Sequence, residues 1–198
     1  MVWDQLSHDA DNQNARHRDK RIGVYIGILA VILAICTMGG GNAAQDAMIK
    51  NIEASNTWAF FQAKNARRHA VRLSSDQLDI MLKATPAVPD DAKKTIQDKL
   101  AEYREQEKKL TSDPEHKEGL DELFTKGKAL EAARNEALKR GPYFDYGQAL
   151  LQIAIVLASI AIISGGMALL AGSGIVGILG AIATIGGFTM AFPLPFAG

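Results

Sequence analysis

The chain has one cysteine, Cys36, among its 198 residues. It cannot form an intrachain disulfide, so cysteine usage reports no redox compartment. It lies inside an apolar run, where it reads as a small buried hydrophobe rather than a reactive thiol. Charge is missing from two long tracts. No Asp, Glu, Lys or Arg occurs between Ile22 and Gln45, and none after Asp145. The balanced total of 22 basic and 22 acidic side chains hides this segregation, since every charge lies before Ile22 or between Asp46 and Asp145. That is the layout of a membrane protein with a soluble insert.

Chemistry is sparse as well. There is no phosphate-binding glycine loop and no nucleotide fingerprint. His8, His17, His69 and His116 are scattered without ligand spacing. His8, Asp9, Asp11, His17 and Asp19 could gather a metal, but a solvated, disordered arm is the better reading of that segment. The basic run Lys64, Arg67, Arg68, His69 and Arg72 could touch nucleic acid. Zero net charge overall, and acidic residues due opposite, favour intramolecular pairing instead. Asp121 and Glu122 fall in a helix register that faces solvent, which leaves acid–base catalysis unsupported. These absences predict a protein that is not an enzyme, with no catalytic residue, no cofactor, no metal and no nucleic-acid partner.

Three apolar segments remain. Ile22 to Met38 is free of charge and long enough to cross, or nearly cross, a hydrocarbon core of about 30 Å. A secretory signal would also fit the small residues GNAAQ that follow it. A lipoprotein signal fails on the bulky Ile35 before Cys36. The reading adopted is a retained span. Ala149 to Ser164 and Gly174 to Phe192 form two further spans, joined by the short uncharged link GGMALLAGSG as a tight helical hairpin. Arg16, Arg18, Lys20 and Arg21 crowd the start of the first span, which predicts a cytoplasmic N-terminus and an outward central block. Lys139 and Arg140 argue the other way and carry less weight. Small residues recur four apart: Gly23 and Gly27; Ser173, Gly177 and Ala181; Ala183, Gly187 and Ala191. Such spacing predicts close helix packing. No ionisable side chain is buried in a span, which argues against a proton relay, a coupled transporter or a charge-lined filter.

In the central block, Ile49, Ile52, Asn56, Ala59, Ala63, Ala66, Ala70, Leu73, Gln77 and Ile80 alternate steps of three and four, a heptad seam. Asn42 can cap this helix, and the two prolines of ATPAVPD end it before Ala84. The return segment repeats the pattern at Ile96, Leu100, Tyr103, Glu107 and Leu110. It resumes at Leu120, Leu123, Phe124, Leu130, Ala133 and Ala137, with Ser112 or Asp113 as cap and Pro114 as first helical residue. The outgoing helix, 42–83, is about 60 Å long at 1.5 Å per residue, and the returning pieces, 91–110 and 114–140, match it. Folding at the turn sets Arg67, Arg68 and Arg72 opposite Glu102, Glu105 and Glu107, pairs that fix register more than stability.

The stretch NIEASNTWAFFQAKNARR, 51–68, holds a tryptophan and two phenylalanines. With Ala59 and Ala63 in the seam, Trp58 and Phe61 sit on one flank and Phe60 and Lys64 on the other. Trp58 is about 28 Å of helix beyond Gly39, too far to anchor at headgroups. A ligand box has no convergent polar groups beyond Gln62 and Lys64. The reading is a helix-packing cluster within or between subunits.

Ala54-Ser55-Asn56, followed by Trp58-Ala59-Phe60-Phe61-Gln62-Ala63-Lys64, resembles the signature of a bacterial membrane family known as domain of unknown function 4337. The specific letters run from Ala43 to Lys64. The resemblance implies an N-terminal span, a charged helical middle and C-terminal spans, and it implies no activity. Where that family has tyrosines and an aspartate, this chain has Phe60, Phe61 and Asn56, so a role needing a phenol hydroxyl or that carboxylate is not carried over.

The resulting expectation is an all-α integral membrane protein with three transmembrane helices and a long extramembrane helical hairpin resembling a coiled coil. Its parts are a polar arm (1–21), a first span (22–41), a stalk (42–141) and a C-terminal transmembrane hairpin (142–198). The expected place is the inner membrane of a bacterium, with the stalk periplasmic. The expected function is a scaffold or accessory subunit in the lipid bilayer that self-associates or docks onto a larger membrane complex. A pore lined by the Gly/Ala-rich C-terminal helices is the alternative. Trp58, Ala59, Phe60, Phe61, Gln62, Ala63, Lys64, Gly177 and Ala181 are the candidate helix-packing or interface residues.

Overall fold

No proline precedes Pro86, so every backbone N–H ahead of it can join a helical ladder. One helix, α1 (Val2–Ala84), runs for 83 residues and stops just before that ring, which disfavours helix in the residue preceding it. The computed structural model describes the backbone of residues 2–85 and 88–193, with side chains from His17 onward. The described residues form four helices and no strand: α1, α2 (Asp90–Thr111), α3 (Leu120–Ser164) and α4 (Met167–Thr189). The helix begins at Val2, where a disordered arm was expected. The side chains of its suggested metal ligands His8, Asp9 and Asp11 lie outside the described residues. Helices α1, α3 and α4 each contain a stretch long and apolar enough to cross a membrane.

Several boundaries differ from the sequence expectation, and Asn42 caps no helix, since α1 runs through it. Pro114 does not open a helix. Residues 112–119 form a loop with Lys117 at φ 55°, and α3 starts at Leu120. Loop polar groups find partners nearer than a new helix would supply: Ser112 Oγ donates to Glu122 Oε1 at 2.8 Å, and the Asp113 backbone N–H to Glu122 Oε2 at 3.2 Å. Nor do Gly141 and Pro142 break the chain, because α3 passes straight through Pro142. The lost N–H leaves the Leu138 carbonyl without its helical donor, and Leu138 is exposed, so solvent can satisfy that carbonyl at little cost. The hairpin between α3 and α4 is tighter than the expected link. Gly165 at φ 66° makes the reversal, and Met167 already begins α4.

The chain divides into two units, Met1–Ala47 with Glu136–Gly198, and Met48–Asn135. In the first, Leu29, Cys36, Ala43, Phe144, Leu151 and Ala154 form the buried core. Cys36 is wholly buried and its thiol donates to the Phe144 carbonyl, so it is the inert small residue expected. The Gly39-Gly40-Gly41 run would weaken a free helix by about 1 kcal/mol per glycine. Close approach explains the first two, since a Cβ on Gly39 would lie 2.5 Å from the Phe144 ring and 2.7 Å from that of Phe188, and one on Gly40 3.1 Å from Phe144 Cβ, whereas Gly41 has nothing within 4 Å.

In the second unit, α1 pairs antiparallel with α3, as Asn51 with Arg134 and Trp58 with Glu131 show. Here the predicted seam is out of phase. Ile49, Ile52, Asn56, Ala59, Ala63, Ala66, Ala70, Leu73, Gln77 and Ile80 are all exposed. The covered face is Ala54, Thr57, Phe61, Lys64, Arg68, Val71 and Leu78. The reason is area, because a phenylalanine or tryptophan buries far more apolar surface than an alanine. The face carrying Trp58 and Phe61 therefore turns inward. Leu100, Leu110, Leu120 and Leu123 are buried, and Ile96, Tyr103, Glu107 and Leu130 half-buried, in the predicted phase, while Phe124 and Ala133 of the predicted return seam are exposed. The expected charge matching is absent: among the described residues no ion pair joins Arg67, Arg68 or Arg72 to Glu102, Glu105 or Glu107. Glu102 pairs with Lys99 at 2.6 Å and Glu105 with Lys109 at 3.0 Å along α2, while Arg68 donates to Asn65.

Candidate helix-packing sites

The first site is aromatic and lies in the Met48–Asn135 unit. Trp58, Phe61 and Phe124 form a triangle with ring centroids 5.6, 5.7 and 6.3 Å apart, within the range where edge-to-face pairs attract. The Trp58 indole N–H donates to Glu131 Oε1 at 3.0 Å, and Lys128 stands 5.7 Å from the centroid of the same ring. The Glu131 carboxyl is held below its usual range, first by its hydrogen bond from Lys128 and further by the indole. Beneath the ring is Gly127, where a Cβ would come 2.8 Å from Trp58 Cε2. Lys64 closes the end of the cluster. Its ammonium donates to the Glu118 backbone carbonyl at 2.5 Å, reaches the Glu118 carboxylate at 3.4 Å, and lies 5.0 Å from the Phe60 ring centroid.

Beside it runs an open groove of about 460 Å³ lined by Phe60, Lys64, Arg67, Gln106, Lys109 and Glu118, among others. Its lining mixes three cations, Lys64, Arg67 and Lys109, with two carboxylates, Asp113 and Glu118, and so makes no strong choice of ligand charge. In the first turn of α3, beside the adjoining loop, Glu122 is held below the usual carboxylate range by the Ser112 hydroxyl, with help from the Asp113 N–H. Asp113 is held low by its hydrogen bond to His116.

The motif residues thus divide. Trp58, Phe61 and Lys64 turn inward, while Ala59, Phe60, Gln62 and Ala63 are exposed. Three partners were missed in the sequence: Gly127, Glu131 and the role of Phe124. A glycine inside a leucine-patterned helix was the available signal, because it costs stability unless something packs on it.

The second site is the small-residue face of α4, in the other unit. Ser173, Gly177, Gly180, Thr184 and Gly187 are buried on it. A Cβ on Gly177 would meet Leu29 and the Tyr25 hydroxyl at 3.1 Å, and one on Gly180 would lie 2.9 Å from Leu151 Cγ. Ser173 Oγ donates to the Ala154 carbonyl at 2.7 Å and is paired with the Tyr25 hydroxyl at 3.2 Å. Ala181 is only half-buried, at the margin of this face. The steps run four, three, four, three, so repeated steps of four drift off it. Gly23 and Gly27 have no neighbouring atom within 4 Å of a built Cβ.

Among the described residues no three His, Cys, Asp or Glu side chains gather as a metal site. A family model described as Domain of unknown function (DUF4337) matches residues 18–190. The chain belongs to this family. The DUF4337 match takes in α2, α3 and α4 whole and α1 from Arg18 onward, and brings no activity with it. No curated protein and no solved structure matches the chain.

Proposed function

We propose that this DUF4337 protein is a non-enzymatic, multi-pass membrane protein that serves as a scaffold or accessory subunit, either self-associating or docking onto a larger membrane complex. The observation that carries the reading is the uncovered heptad stripe of α1, Ile49 to Ile80, on a helix whose aromatic face is already occupied. An apolar repeat of that length on a helix outside the spans needs a protein partner to cover it. The spans of α1, α3 and α4 hold the protein in a bilayer, with an inner bacterial membrane, a cytoplasmic N-terminus and a periplasmic helical insert as the proposed arrangement.

Packing of Gly177 and Gly180 against Leu29 and Leu151 favours helix contact over a water-filled lumen. The pore alternative therefore has less behind it than the scaffold. The test is the mass of the detergent-solubilised particle, with pull-down from the native membrane. A particle of two or more copies, or a co-purifying membrane complex, is the expected result. A monodisperse monomer without a partner refutes the proposal.

A further inference from the structure

The proposed self-association can be given a surface, an orientation and a register. We infer that a second copy of this chain docks on the uncovered stripe of α1, parallel and in register, as a two-stranded coiled coil. The inference rests on the self-associating form of the reading above.

The stripe is not merely small residues. Ile49, Ile52, Leu73 and Ile80 stand at its two ends with relative exposures of 43, 49, 60 and 64%. Between them, four alanines from Ala59 to Ala70 allow two backbones to approach closely. No charged side chain occurs at any of its positions, although the Met48–Asn135 unit is rich in charge. Charge is thus kept off this open stripe, although exposed charged residues such as Glu53, Arg67, Arg72 and Asp76 lie on the faces of α1 beside it.

The polar exceptions choose the occupant. Asn56 and Gln77 both fall at the first position of the heptad, three residues before an apolar one and four after another. In a parallel, in-register pair each amide meets its own counterpart, and an amide can both donate and accept. That is how a buried amide fixes register between like helices. In an antiparallel pair first positions face fourth positions, so both amides face apolar side chains and lose that partner. A different protein would need matching amides 21 residues apart, whereas a second copy has them by construction. The flanking positions agree. Across a parallel pair Gln62 faces Arg67 and Asp76 faces Met81, and no two like charges meet.

Size sets the strength. Ile49 to Ile80 spans about 46 Å of helix, and a strip about 10 Å wide on two copies buries about 900 Å² in all. That approaches the ~1,000 Å² of a specific interface.

The test uses the full chain in detergent and in liposomes, with Asn56→Cys, Ala63→Cys and Ala70→Cys made singly and Glu105→Cys as an exposed control on α2. Cys36 is buried and is left in place. Mild oxidation should give a species of twice the mass for all three stripe variants, reversed by reductant, and none for the control. Circular dichroism checks that each variant keeps its helix content. Linkage at Ala63→Cys alone indicates an antiparallel pair and overturns the inference. So does a particle of two or more copies in which no stripe variant links, which leaves self-association standing through another face. A monomer that captures a different membrane complex overturns the inference while docking survives. A monomer with no partner removes both.

Discussion

Gly127→Ala sets two opposed effects against each other at the aromatic cluster. In a helix interior alanine is favoured over glycine by about 0.8–1.0 kcal/mol. At this position the new Cβ would lie 2.8 Å from both Cε2 and Cζ2 of Trp58 and 3.2 Å from Cη2. Unstrained carbon contacts need about 3.5–4.0 Å, so the indole has to retreat by most of an ångström. It is poorly placed to do so, with its N–H on Glu131 and its edges against Phe61 and Phe124. Overpacking of this kind costs about 1–3 kcal/mol, which outweighs the propensity gain and leaves a net loss near 1 kcal/mol. Hydrogen exchange on the full chain reads this locally, because amides of 55–64 and 120–131 exchange through opening of this unit. They should exchange about fivefold faster in the variant. Trp58→Ala removes the obstacle. In that background Gly127→Ala should slow exchange by about fivefold, since only the propensity gain remains. An effect of the same sign in both backgrounds would refute the claim that the indole sets the demand for glycine.

The α4 face gives a second prediction: Gly180→Leu, whose Cβ alone would reach Leu151 Cγ at 2.9 Å, should lower the thermal midpoint in detergent, while Gly172→Leu, with nothing within 4 Å and helix propensity to gain, should not lower it. The 112–119 loop gives a third, in which pH is the variable. Glu122 and Asp113 are held below their ordinary values of 4.5 and 3.8. A carboxyl depressed in the folded state adds stability that is fully present above its ordinary value and lost as pH falls through the lower folded one. Exchange in 112–119, corrected for its intrinsic rate, should therefore be pH-independent near neutrality and accelerate only in acid. Ser112→Ala should speed exchange near neutrality and shrink the acceleration in acid, because the folded Glu122 carboxyl returns toward its ordinary value, and an unchanged profile would refute the hydrogen bond's role.

What was legible follows residue size. The end of α1 could be read because Pro86 and Pro89 forbid its continuation. The phase of α2 and of the start of α3 could be read because leucines mark a buried face without ambiguity. The apolar stretches now found in α1, α3 and α4 could be read from the missing charge. The seam of α1 could not, because that helix offers two stripes in three-and-four steps. One has more members and is built on alanine. The other holds Trp58 and Phe61 among polar residues such as Thr57 and Lys64, and its claim appears only when Gly127 and Phe124 are seen across from it. Pro142 was misread for the converse reason. A local rule marks a break, but the residue whose carbonyl it orphans is exposed, and the continuous helix outweighs one lost bond.

The seven residues of Trp-Ala-Phe-Phe-Gln-Ala-Lys make a sharper case. Three of them, Trp58, Phe61 and Lys64, are spaced by threes and account for the contacts with Phe124, Gly127, Glu131 and Glu118. The other four, Ala59, Phe60, Gln62 and Ala63, point away. Packing within the chain explains the first three, and Phe60 has the Lys64 ammonium and the groove beside it, but nothing within the chain is asked of Ala59, Gln62 and Ala63, so a solvated helix face there would tolerate lysine or glutamate. What stands at Ala59 and Ala63 is instead the smallest apolar side chain, at the two heptad positions midway along the stripe. A surface that only needed to stay wet gains nothing from alanine there beyond helix propensity, which lysine and glutamate nearly match. A surface that must let a second backbone come close gains contact along its whole length. The Ala63→Cys link and the Gly127→Ala inversion therefore probe opposite faces of one short segment, and each can fail without the other.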